Sequence, residues 1–166
     1  MNLKAIAKVC SKDKTRHSIQ NVNLRRNEDG GVTIEATDGH VAVRVIFPVA
    51  FQPVPFATLE HGQYLPGDWV DLVCKGRQAT PIADPIAFPN FDKIMPIAPD
   101  APERETDAGI KVIALDLELA GRISAIVGKE VGCRLSFRGE DSPIRIDYEE
   151  PGEGTLVAAI MPWRLP

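Results

Sequence analysis

Asp38 and His40 flank Gly39, a spacing at which a carboxylate and an imidazole could share a proton. Acid–base catalysis needs more than such a pair. No nucleophile motif, phosphate-cradling loop or metal-ligand spacing accompanies it, and Asp-Gly more simply marks a tight turn. His17 and His61 lie in polar or turn contexts without ligand partners, and the acidic pairs Glu140-Asp141 and Glu149-Glu150 read as solvated turns beside strands. Cys10, Cys74 and Cys133 are far apart and lack a CxxC spacing, so they are expected to be reduced core thiols of a cytoplasmic protein. The sequence therefore offers no catalytic, metal or cofactor site, and the expectation is a protein that is not an enzyme.

A second chemistry is electrostatic. Lys4, Lys8 and Lys12 recur at i, i+4 and i+8, with Lys14 and Arg16 just beyond and Arg122 and Lys129 on a second expected helix. A basic stripe of this kind can follow phosphates of duplex DNA without reading bases. The plainer alternative is a solvated helix face. Few aromatics interleave with these charges, which argues against a surface that stacks single strands. A third feature is apolar: a strand over residues 155–161 runs straight into Pro162-Trp163-Arg164-Leu165-Pro166. Chain ends usually fray in polar residues. A Trp and a Leu there imply packing against a neighbour or the wall of a pocket, the alternative being a capped edge strand.

The elements that must position these groups follow from pattern. At 166 residues, 44% apolar and 25% charged, the chain suits one domain with a real core. The net charge of −4 excludes a generally basic nucleic-acid coat but not a local basic face. No run approaches the roughly 20 apolar residues of a membrane span, and no charged-then-apolar leader follows Met1. Helical spacing over residues 3–12 puts Leu3, Ile6 and Cys10 on one side and the lysines on the other. Strands are expected over 18–25, 32–36 and 41–47, the first two joined by the turn Asn27-Glu28-Asp29-Gly30-Gly31 and the last interrupted only by Arg44.

Ten of the fourteen prolines fall in 48–107, which excludes long helices and predicts extended segments and turns, with a short strand or helical turn in 64–73. The order then repeats. A strand over 111–115 precedes a helix capped by Asp116, carrying Leu119, Ala120, Ile123 and Ile126 on one face and ending near Gly128. Strands over 133–137, 144–148 and 155–161 complete it. Two copies of a helix followed by three antiparallel strands predict an α+β domain of two pseudo-symmetric halves, 1–50 and 108–166, joined by a Pro-rich connection over 51–107.

Three strings carry a resemblance. Ala36-Thr37-Asp38-Gly39-His40, Phe88-Pro89-Asn90-Phe91-Asp92-Lys93-Ile94-Met95-Pro96 and Ile160-Met161-Pro162-Trp163-Arg164-Leu165 resemble the sliding-clamp (beta) subunit of bacterial DNA polymerase III. Its counterparts are a Thr-Asp-Gly-His turn, a Phe-Pro-Asp-Tyr segment between two domains and a Met-Pro-Met-Arg-Leu terminus. The resemblance covers about two thirds of the chain. It implies a DNA-clamp-like fold in which helices line a hole around DNA, sheets form the outside, and domains join by continuing the sheet.

The resemblance also implies a peptide-binding groove for polymerases and clamp loaders. Its residues would be Thr37, Gly39 and His40 from the turn, Pro89, Lys93 and Ile94 from the middle, and Met161, Pro162, Trp163, Arg164 and Leu165 from the tail. Lys4, Lys8, Lys12, Arg122 and Lys129 would face DNA. Departures are Val41-Ala42 after the His where Arg-Leu is common, Lys93 for Arg, Trp163 for Met, and the added Pro166. The first half lacks a strand before its helix, so that strand is missing or replaced from the Pro-rich middle. Two functions follow: a homo-oligomeric processivity factor that encircles duplex DNA, or a non-encircling adaptor or decoy that keeps only the groove.

Overall fold

In the computed structural model the described residues are 1–51, 59–67, 79–96, 116–128, 131–136, 142–150 and 154–161. Capping chemistry sets the helix starts. The Asn2 side chain accepts from the Lys4 and Ala5 amides at 3.0 and 3.3 Å and opens α1, Leu3–Ala7. α1 stops short of the expected Lys12. Beyond it the Ser11 hydroxyl accepts from the Asp13 amide and the Asp13 carboxylate from the Thr15 amide, local bonds that compete with a continuing helix. A 3-10 turn at His17–Ile19 takes the place of the expected start of a strand.

Strands β1 (Val22–Arg26), β2 (Val32–Thr37) and β3 (Val41–Phe47) form an antiparallel meander. The Pro-rich stretch supplies β4 (Gly62–Tyr64), which pairs with the outer side of β1, and the one-turn helix α2 (Phe91–Ile94). α3 spans Leu117–Val127, opened by Asp116, whose carboxylate accepts from the Glu118 and Leu119 amides, and closed by Gly128 at φ +106°. Strands β5 (Arg134–Ser136), β6 (Ile144–Glu150) and β7 (Gly154–Ile160) follow, so Glu149 and Glu150 end a strand rather than forming a turn. The expected strand over 111–115, the stretch 68–73, Lys129 and Pro162–Pro166 lie outside the described residues.

The seven strands among the described residues join one antiparallel sheet in the order β4-β1-β2-β3-β7-β6-β5. β3 and β7 pair at its centre, Val41 opposite Ile160 through Ile46 opposite Thr155. Alternation gives the sheet two faces. On one, Ile34, Val43, Val45, Ile146, Leu156 and Ala158 are buried together with Ile6 of α1, Val9 just beyond it, and Leu119, Ile123 and Ile126 of α3. The helices lie side by side, joined where the Asn2 amide donates to the Ile126 carbonyl at 2.8 Å. The outer face, away from the helices, carries Glu35, Ala42, Arg44 and Ala159, and segment 88–96 covers part of it through buried Phe91 and Met95. Among the described residues no helix is long and apolar enough to cross a membrane.

Candidate functional site

The β2–β3 turn is built by side chains bonding to their own backbone. The Thr37 hydroxyl donates to the Val41 carbonyl at 2.8 Å and accepts from the Gly39 amide at 3.0 Å. Asp38 Oδ1 accepts from the amides of His40 at 2.8 Å and Val41 at 2.9 Å. Gly39 sits at φ +93°, where a side chain would be strained. Asp38 Oδ2 meets Arg122 Nη1 at 2.5 Å, and Arg16 Nη1 donates to the Asp38 carbonyl at 3.2 Å. The Asp38 carboxylate is thus committed to backbone amides and an arginine, not to the His40 ring, which removes the proton-sharing pair. The Met161 amide donates to the His40 carbonyl at 3.0 Å and brings the end of β7 to the turn.

Segment 88–96 is seated from the other side. Asn90 caps α2, Phe88 stacks on Phe91 with ring centroids 5.4 Å apart, and the Arg44 guanidinium lies 5.8 Å from the Phe91 centroid. Arg44 Nη2 reaches Asp92 Oδ1 at 2.6 Å and buried Glu35 at 2.7 Å, and Arg25 meets the same Glu35 oxygen at 2.9 Å. The Arg44 hydrogen bond, reinforced by its charge, holds the Asp92 carboxyl below its ordinary range.

Between the turn, segment 88–96 and the end of β7 lies a cavity of about 280 Å³. Thr37, Gly39, His40, Pro89, Ile94 and Met161, drawn from all three sequence strings, line it together. Lys93 points elsewhere: it is exposed on α2 and outside the lining. Ile19, Val41, Ala42, Pro143 and Ala159 also line the cavity and were not anticipated. Ala42 and Ala159 face each other in register, flanked by Thr37 and Arg145 on the neighbouring strands, so two methyl groups leave open the space that larger side chains would fill. Period-two alternation with small residues on both central strands is the signal that could have found them. Nothing in the sequence places Ile19 or Pro143 there. Among the described residues the lining is chiefly apolar, with His40 the one ionisable side chain, which suits apolar side chains of a ligand with a polar contact at the rim. Among the described residues no cluster of His, Cys, Asp or Glu could hold a metal.

The cations divide. Lys4, Lys8 and Lys12 are exposed, but only Lys4 lies within α1, so the expected continuous helical stripe is not formed. Arg122 is not a free phosphate contact: Asp38 at 2.5 Å and Glu118 at 2.9 Å neutralise it. The expectation of three core thiols also needs correction. Cys10 is buried, its thiol pushed up to about 12 by desolvation, whereas Cys133 is exposed and Cys74 lies outside the described residues.

No protein-family model matches the sequence, and no curated protein does. Solved structures do. A sliding clamp (DNA polymerase III subunit beta) from Bartonella birtlesii bound to griselimycin superposes with a TM-score of 0.61 at 12% identity, over 98% of this chain and 63% of the clamp. DNA polymerase III subunit beta from Borrelia burgdorferi, in complex with a natural product, gives 0.60 at 12%, over 99% and 61%. The chain therefore has a sliding-clamp-like fold and spans about three fifths of the length of the clamps it matches.

Proposed function

We propose that this protein is a clamp-like replication factor whose cavity binds short peptides of DNA polymerases or clamp-loader proteins. The observation that carries the reading is convergence: three strings far apart in sequence meet around one apolar cavity in a chain with a clamp-like fold. The occupant is a peptide with a Gln followed by Leu and Phe. Its apolar side chains suit the cavity bounded by Ile94, Met161 and the Ala42–Ala159 floor, and His40 supplies a hydrogen-bonding group at the rim. Pro162, Trp163, Arg164 and Leu165 belong to the same groove in this reading, whereas Lys93 stands outside the lining.

In the fuller form the two halves are related by an approximate two-fold, β4 serves as the first half's outer strand, and copies join through sheet edges into a homo-oligomer around duplex DNA. Unpaired edges are usually covered by another strand or chain. Lys4, Lys8, Lys12 and Lys129 would then face the DNA in the cytoplasm. A specific observation favours the second reading, an adaptor or decoy that does not encircle DNA. Arg122 is already neutralised, and the remaining exposed positions described on α3, including Leu117, Glu118, Gly121 and Ser124, bring no cation.

Calorimetry with a Gln-Leu-Phe peptide, before and after deletion of Trp163–Pro166, tests the groove. Absence of binding to the intact chain would sink it. Light scattering and salt-dependent loading onto circular DNA separate the two forms. A monomer at high concentration, or loading unaffected by charge reversal of Lys4, Lys8 and Lys12, leaves the adaptor.

A further inference from the structure

Segment 88–96 forms one side of the cavity through Pro89 and Ile94, yet its only helix is a single turn and it buries just Phe91 and Met95 deeply. Besides that apolar packing, two arginines of the sheet reach it. Arg44 on β3 is oriented by Glu35, 3% exposed, which accepts from Arg44 Nε at 2.9 Å and is itself held by Arg25 and by Asn23 at 2.9 Å. From there Arg44 reaches out to Asp92. Arg145 on β6 is oriented by Asp147, to which its Nε donates at 2.9 and 2.8 Å, and its Nη1 donates to the Pro96 carbonyl. Each guanidinium is a planar fork held by a carboxylate on the sheet: Arg145 offers its other nitrogen, Nη1, to the segment, whereas Arg44 shares Nη2 between Glu35 and Asp92.

We propose that Arg44 and Arg145 are positioning residues for the cavity, pinning segment 88–96 to the sheet at Asp92 and Pro96 so that Pro89 and Ile94 stand at the spacing a bound peptide needs. The inference rests on the peptide-binding reading above. Global stability alone gives little reason for the outer link. Asp92 is 66% exposed, and an ion pair with so wet a partner adds little to folding. It does bias the docked segment over an undocked one, and a ligand that needs the docked form binds in proportion to that population. The pair is also screened by salt. An apolar cavity would then show an affinity that weakens as ionic strength rises.

Asp92→Asn removes the exposed charge while keeping size, and Arg145→Gln removes the second pin. Both are compared with the parent by calorimetry with the Gln-Leu-Phe peptide and by amide exchange at Lys93, Ile94 and Met95, whose N–H groups bond to Asn90 and Phe91 carbonyls. Asp92→Asn is expected to melt with the parent, bind roughly 2–5-fold more weakly, exchange faster at those amides by a similar factor, and lose most of the salt dependence. Arg145→Gln is expected to change affinity and exchange in the same direction. Parent-like exchange in both variants overturns the proposal. If the parent binds no peptide, the peptide reading falls and amide exchange alone decides whether the arginines pin the segment.

Discussion

Thr37→Val tests the construction of the turn that presents Gly39 and His40. Valine keeps the shape of threonine and removes only the hydroxyl, so two bonds are lost: the one to the Val41 carbonyl at 2.8 Å and the one from the Gly39 amide at 3.0 Å. Neither partner is left stranded. The Val41 carbonyl keeps the Asp38 amide at 3.3 Å, and exposed Gly39 can turn to water. With no orphaned group the cost is the net worth of two ordinary hydrogen bonds, about 1–3 kcal/mol, or about 2–12 °C in Tm for a chain of this size. Thr37→Ser keeps the hydroxyl and gives up one methyl, about 0.8 kcal/mol, so melting alone separates the two variants poorly. Amide exchange at Gly39 separates them: Val accelerates it, Ser does not, and peptide affinity falls only for Val. A Thr37→Val protein with parental melting and parental Gly39 exchange would refute the hydroxyl's role.

Ile123 is 3% exposed beneath the sheet, so Ile123→Asp buries an unpaired carboxylate and should abolish the cooperative melt seen by circular dichroism. Gly39→Ala forces a side chain onto φ +93° and sets its Cβ 2.7 Å from Arg16 Nη1; the backbone strain costs about 1–2 kcal/mol and displaced Arg16 releases the Asp38 carbonyl, measurable by urea denaturation. Cys133 should react with iodoacetamide in the folded protein, while Cys10, at about 12 and buried, should label only after unfolding, as mass spectrometry would show. Because Arg44 lowers the Asp92 carboxyl from its ordinary 3.8, the stabilisation is complete above that value and fades as pH falls through the lowered one. Protection of the 93–95 amides, taken relative to their intrinsic exchange rates, should therefore fall in that acid window, and in Asp92→Asn this pair should contribute no such change.

Much of the frame was legible because its signals are local. Asp116 and Gly128 bracket α3 as capping chemistry requires, and the apolar run from Val41 to Phe47 is β3 residue for residue. Six of the proposed groove residues meet in one cavity, the clamp resemblance having supplied a grouping that spacing alone does not. What was missed depends on contacts between distant segments. Arg44 looked like an interruption of an apolar strand, yet it ties buried Glu35 to Asp92. Arg122 looked like a free cation on a helix face, yet its partner Asp38 lies in a turn of another element. The length of α1 was overestimated because periodicity continues where Ser11 and Asp13 divert the backbone.

The central pairing of β3 with β7 has a kinetic consequence. β1, β2 and β3 are joined by short turns and can meet soon after synthesis, but the second neighbour of β3 comes only with residues 154–160. At about 5–20 residues per second, the interval between making the two strands is on the order of ten seconds. Over that time β3 is an open edge carrying Val41, Val43 and Val45, a template for mispairing between nascent chains. A charge in the middle of such an edge discourages strand addition. Until Asp92 is made and docks, Arg44 and Arg25 share the single carboxylate of Glu35 and leave a net positive charge there, so the same residue can guard the unfinished sheet before it braces the completed one.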